Sequence, residues 1–228
     1  MHFSFNRIVS RFLLNALLGG MAVSLGAAQA AETPRCSAET PRERQLELVR
    51  SAAPLEVSGN ATLYILGKKG YEIVQKGSNG FSCMVDRELV DTQEPECFDA
   101  EGSATTLVAR MRVEELRAQG ISEDKINAEI EQGYKAGTYT APRKPGIVYM
   151  LSQENWVLAD PATRTIIHFG PHLMFYAPYA TDKDIGNTHA PGAIPGVPFM
   201  VHPGRPDALI IVVPRLTENG KDGSGHAH

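Results

Sequence analysis

Four histidines, His168, His172, His189 and His202, fall in the last third of the chain, so metal-assisted or general-base chemistry is the first its side chains suggest. His168 and His172 have the four-residue spacing that zinc proteases use on a helix. Here Gly170-Pro171 breaks any helix between them, and no glutamate follows His168 to act as base. Dispersed histidines would have to meet in space to hold zinc, and ordinary strand and loop histidines are the stronger reading. Thr181-Asp182-Lys183-Asp184-Ile185-Gly186 opens like a calcium loop but lacks the later oxygen ligands and the closing glutamate. Thr181 and Asp184 fit an acidic capping box better. No metal site and no cofactor is therefore assigned. His172, Asp182 and Asp184 are left as the candidate catalytic set of a hydrolase, with or without metal assistance.

Cys83 resembles a nucleophile that His172 or His189 could serve, but alternation puts it on the same strand face as Phe81 and Val85, toward a core. A disulfide with Cys97 is the better expectation, with Cys36 left over. Closing the loop between positions 83 and 97 is worth about 3 kcal/mol in the chain-entropy account. Phe175, Tyr176 and Tyr179, with Trp156 upstream, offer a platform for a sugar ring or peptide, although aromatics in a strand more often fill a core. Tyr176 and Tyr179 are the candidate ligand-binding residues. The segment from Pro171 to Gly186 holds the densest set of polar-tipped side chains, and a site is expected there first.

Export underlies the disulfide expectation. Arg7 and Arg11 precede an apolar run from Phe12 to Ala28, and Ala28-Gln29-Ala30 supplies a small-x-small cleavage site. Residues 1–30 read as a signal peptide, with a periplasmic or secreted product. Cleavage leaves 198 of the 228 residues, about one domain, and moves the formal charge from −4 to −6. No basic stripe is visible, which argues against nucleic acid or an anionic membrane as partner. The leader style is bacterial, so the sequon Asn60-Ala61-Thr62 carries no weight.

The elements that must position these residues follow from periodicity and punctuation. Thr40-Pro41-Arg42-Glu43 predicts a helix start with Thr40 as N-cap, and Ala53-Pro54 predicts its stop. From Ala61 the period becomes two, and the turns Gly67-Lys68-Lys69-Gly70 and Gly77-Ser78-Asn79-Gly80 predict an antiparallel three-strand meander. Neither turn has the spacing of a phosphate-binding loop. Gln93 to Gly102 reads as an acidic, irregular loop carrying Cys97. A helical hairpin follows, from Ser103 to Gln119 and from Ser122 to the glycines Gly133 and Gly137. Strands are expected at Ile147 to Leu151, Trp156 to Ala159, Thr165 to Phe169 and Leu173 to Tyr179, with a central, doubly covered one at Leu209 to Val213. Pro191 to Pro206 reads as a long ordered loop, and residues 217–228 as a disordered tail. The class is α+β, a largely antiparallel sheet with an N-terminal helix and an inserted helical hairpin packed on one face, in a single domain over residues 31–216.

The segments Gly77-Ser78-Asn79-Gly80-Phe81-Ser82-Cys83, Glu94-Pro95-Glu96-Cys97-Phe98-Asp99 and Pro171-His172-Leu173-Met174-Phe175-Tyr176-Ala177-Pro178-Tyr179 together resemble a group of exported bacterial proteins with no assigned activity. That resemblance implies no catalytic residues. The expectation is a monomeric exported protein of binding or envelope-associated role, whose partner is a small molecule or an envelope component. The alternative is the secreted hydrolase around His172, Asp182 and Asp184.

Overall fold

The computed structural model describes residues 35–160, 162–189 and 196–213. The expected signal peptide and the expected tail lie outside the described residues, as does part of the segment from Pro191 to Pro206. The α+β expectation holds: ten strands and five α-helices occur among the described residues, and eight of the strands make one sheet.

Helix α1 (Arg42–Ser51) begins where the sequence places it, but without the expected cap. The Thr40 hydroxyl instead accepts the Ser37 N–H at 2.9 Å, closing a turn ahead of the helix, and no side chain caps α1. Leu48 and Val49 of α1 and Ala52 just after it are buried in one core with Cys36, Leu63, Cys83, Val85 and Cys97. A short helix, α2 (Leu55–Ser58), follows.

Strands β1 (Thr62–Gly67) and β2 (Gly70–Gln75) form an antiparallel hairpin, but β3 (Ser82–Asp86) overturns the expected meander by pairing with β1 in parallel. It runs antiparallel to β2 yet lies on the other side of β1. Every residue of β3 is buried, so it takes an interior place that the outer edge of β2 does not offer. The connection passes against the start of β1. Gly77 donates its N–H to the Thr62 hydroxyl at 3.0 Å, and a Cβ at Gly77 would collide with the backbone of Ala61 and Thr62. Glycine is required there by close approach.

The segment expected to be an irregular acidic loop contains the interior strand β4 (Glu94–Phe98), antiparallel to β3 and buried at every residue. Strand β5 (Ile147–Met150) pairs with β4 at Cys97 and Phe98 alone, so Pro95 lies where β4 has no second ladder partner. Asp99 caps α3 (Ala100–Ala104) by accepting the Gly102 N–H at 3.0 Å. Thr105 (φ −126°, ψ −84°) separates α3 from α4 (Thr106–Ala118), where one continuous helix was expected. Helix α5 (Glu123–Ala136) ends at Gly137 in the left-handed region (φ 76°). Gly133 does not end it; it sits inside the helix against the Tyr139 ring, where a Cβ would collide. Ala109 and Leu116 of α4 meet Ile126 and Ile130 of α5 in their own core. Leu107 and Met111 of α4 pack on Met84 and Phe98, the sheet face opposite α1.

Strands β6 (Asn155–Asp160) and β7 (Thr165–Phe169) form a separate hairpin. Strands β8 (His172–Tyr176), β9 (Phe199–Val201) and β10 (Leu209–Val212) complete the sheet, in the order β2-β1-β3-β4-β5-β8-β10-β9. Strand β9 arises inside the segment expected to be loop. Strand β10 is next to the edge rather than central: Leu209 and Ile211 are buried, while Ile210 and Val212 are half-buried. No helix among the described residues is long and apolar enough to cross a membrane.

Candidate functional site

The residues singled out in the sequence do not converge. His172 is 1 % exposed, with Nδ1 2.8 Å from the Gly170 carbonyl oxygen and the ring edge-on to Phe169. Burial pushes its pKa down to about 4, so it is neutral at ordinary pH. Asp184 accepts the N–H and hydroxyl of Thr181, each at 2.8 Å, completing the expected capping box. Asp182 accepts the Met200 N–H at 2.9 Å and so ties its 3₁₀ turn to β9. Tyr176 is buried and donates its hydroxyl hydrogen to Asp99 at 3.2 Å, as a structural strut. Tyr179 is 62 % exposed, in the left-handed region (φ 65°), and lines a surface cleft of about 460 Å³ with Tyr134 and Arg205. His168 lies 2.6 Å from the Gln153 carbonyl oxygen and edge-on to Trp156. Among the described residues no three His, Cys, Asp or Glu side chains are placed to hold a metal ion. Cys83 and Cys97 face each other in register across β3 and β4 at disulfide distance, and Cys36 is a buried free thiol.

A different set of residues does converge. Alternation along β4 sends Pro95 and Cys97 toward α1 and sends Glu94 and Glu96 to the α4 side, across from Asp86 and Met84 of β3. A pocket of about 360 Å³ opens there between the sheet and the β6–β7 hairpin. Its apolar lining comes from Met150, Val157, Phe169, Met174, Phe199 and Leu209, among others. Its polar lining is Glu88, Glu94, Glu96, Arg110 and His202. Among the described residues no serine, threonine, cysteine or lysine lines it.

The polar side of this pocket is an electrostatic cluster removed from water. Glu96 is 5 % exposed and makes no side-chain hydrogen bond among the described residues. Burial, then the nearby Asp86, pushes its pKa well above the ordinary carboxyl value. Glu94 accepts the Glu88 N–H at 3.3 Å; burial and then Asp86 push its pKa up to about 8. Arg110 lies 3.4 Å from Asp86. Burial opposes the Arg110 charge, but Asp86, Asp207, Glu96 and Glu88 outweigh it and hold the guanidinium protonated. His202 stands with Nδ1 3.1 Å from Asp207 and Nε2 3.6 Å from Glu88. Burial opposes its charge too, yet Asp207 and then Glu88 raise its pKa above the ordinary value. Its backbone is in the left-handed region (φ 53°), a conformation that non-glycine residues hold only under tertiary constraint.

Helix α4 anchors the rim. Glu114, 2 % exposed, pairs with both Arg87 and Arg117. Arg117 also donates to the carbonyl oxygens of Arg87 and Glu88 at 2.7 and 2.8 Å, which holds the Glu88 backbone beside the pocket. A sequence signal for this existed. Leu107, Arg110, Glu114 and Arg117 recur at spacings of three and four, so charged residues occupy a stripe that apolar ones normally fill. The strand that carries Glu94 and Glu96 gave no comparable signal.

Chemically, a carboxyl held neutral in an apolar pocket can donate a hydrogen bond, give up a proton, or become the counter-ion of a cation. Searches against known protein families, curated proteins and solved structures find no match to this chain.

Proposed function

We propose that the chain is an exported small-molecule-binding protein that takes a mainly apolar ligand with one polar head into the pocket between the sheet and the β6–β7 hairpin. The observation that carries this reading is Glu96, a carboxyl without a hydrogen-bond partner among the described residues, at the polar side of a pocket whose other walls are Met, Val, Leu, Ile, Ala and Phe side chains. An unpaired buried polar group costs free energy, and a bound polar head would supply the missing partner. The volume falls within the range of small-ligand sites. The leader and the Cys83–Cys97 pairing support work outside the cytoplasm. No observation favours the hydrolase alternative, because His172, Asp182 and Asp184 serve packing, strand attachment and capping.

Titration with the neutral fluorophore N-phenyl-1-naphthylamine tests this. The expected result is a saturable, one-to-one rise in fluorescence that Val157→Trp, which fills the pocket from the hairpin side, abolishes while the thermal unfolding transition is kept. A non-saturable rise, or one unchanged in a folded Val157→Trp variant, would overturn the reading.

A further inference from the structure

Resting on that binding reading, we infer that the ligand's head is a cation, an alkylammonium or amidinium group seated between Glu94 and Glu96. The charges around the pocket decide the sign. Five carboxyl groups gather there: Asp86 from β3, Glu88 after it, Glu94 and Glu96 from β4, and Asp207 ahead of β10. They face Arg110 of α4 and His202 after β9 in the lining, while Arg205, outside the lining, pairs with Asp207 at 2.9 Å.

Both basic groups of the lining are already committed. Arg110 lies against Asp86 at 3.4 Å, and His202 lies between Asp207 and Glu88. An anionic head would have to take one of them from its carboxylate while facing Glu94 and Glu96. A cationic head meets no such competition. Among the described residues Glu96 has no hydrogen bond to surrender, and Glu94 has those from the Glu88 N–H and the Thr92 side chain. The residues of β5 to β10 that complete the lining are all apolar, so among the described residues no further lining charge offsets the carboxyls from that side.

Binding is then an exchange of charge. The ammonium enters already protonated, Glu96 or Glu94 loses its carboxyl proton, the carboxylate pairs with the ammonium, and the proton leaves to the buffer. The charge of site and ligand together falls by one, and the released proton carries that charge into solution. Affinity for the amine therefore rises with pH while the carboxyls of the empty pocket titrate, and ends its rise when the amine itself deprotonates.

The experiment uses the leaderless protein and three probes of equal chain length, 1-octylamine, octanoate and 1-octanol, displacing N-phenyl-1-naphthylamine. The amine is expected to bind at least about tenfold more tightly than either other probe at neutral pH. Calorimetry in two buffers of different ionisation enthalpy is expected to show net proton release on amine binding. Glu96→Gln, which keeps shape and burial, is expected to cut amine affinity about tenfold or more. Tighter octanoate or octanol binding, or amine binding without proton release, overturns the cation assignment and leaves the pocket as a binding site. Failure of all three probes and of the fluorophore overturns the binding reading itself.

Discussion

Asp86 and Glu94 are register partners across β3 and β4, so two carboxyl side chains leave adjacent strands on the same face of the sheet. Like charges directly opposite one another destabilise a strand pair. The conflict is resolved by Arg110, which approaches Asp86, and by burial, which keeps Glu94 protonated up to about pH 8.

A pH dependence of stability follows. The Glu94 pKa is raised from 4.5 to about 8, so its contribution is complete below the unfolded value and is lost as pH rises toward the folded one. The slope is up to about 1.4 kcal/mol per pH unit for one proton. His172 has the opposite sign: its pKa is lowered from 6.5 to about 4, so its stabilisation is present above 6.5 and is lost as pH falls toward 4. The two slopes oppose each other at mildly acidic pH, and above 6.5 only the falling one remains. His202, raised above the same ordinary value, adds to the fall. Urea unfolding at several pH values from about 6.5 to 8 should show stability declining in the natural protein and declining less steeply in Glu94→Gln. Equal slopes in the two proteins would show that Glu94 titrates normally.

Loss of Arg110 should be among the costliest single changes in the sheet. It is the buried cation nearest Asp86, and Asp207, Glu96 and Glu88 also act on it. Arg110→Met should destabilise by about 3–5 kcal/mol, because it leaves buried carboxylate charge uncompensated. Adding Asp86→Asn should recover part of that loss in a double-mutant cycle measured by chemical denaturation. Strictly additive effects would mean that the pair does not interact.

Cutting the covalent link should loosen β4 first. The Cys83→Ser, Cys97→Ser double variant is expected to lose about 3 kcal/mol by the chain-entropy argument. Amide exchange should quicken at Glu94 to Phe98 more than in β8 or β10, because composition alone gives β4 little reason to be a strand. Uniform acceleration across the sheet would show that the link acts only on the unfolded chain.

Cys36 should behave as an inert thiol in the native state. It lies in the α1 core, its backbone N–H donates to the Gln93 side-chain oxygen at 2.9 Å, and burial pushes its pKa up to about 11. Ellman's reagent at about pH 8 should find no reactive thiol until urea unfolds the protein, and then one equivalent, since reactivity requires an accessible thiolate. Immediate labelling of the folded protein would contradict that burial.

The elements legible in advance are those written in local terms. Helices α1, α4 and α5 and strands β1, β2, β5 and β7 follow from periodicity and from glycine and proline punctuation, and the α+β class follows from their order. The pairing of Cys83 with Cys97 was reached from compartment and spacing. The Thr181 and Asp184 capping box was readable because both of its partners lie within one turn.

What the sequence alone could not decide is whatever depends on a distant partner. Alternation does not encode which neighbour a strand takes, so β3 looked like the third strand of a meander. The strand Glu94 to Phe98 read as loop because acidic residues and proline are poor strand formers; β3, Arg110 and the link from Cys97 to Cys83 make that place tolerable. His172 and His202 are indistinguishable as letters. Tertiary structure makes one a neutral packing residue and gives the other, in the wall of the pocket, a raised pKa, because the free energy of a charge depends on the surrounding dielectric and counter-charges, which no local run of sequence specifies.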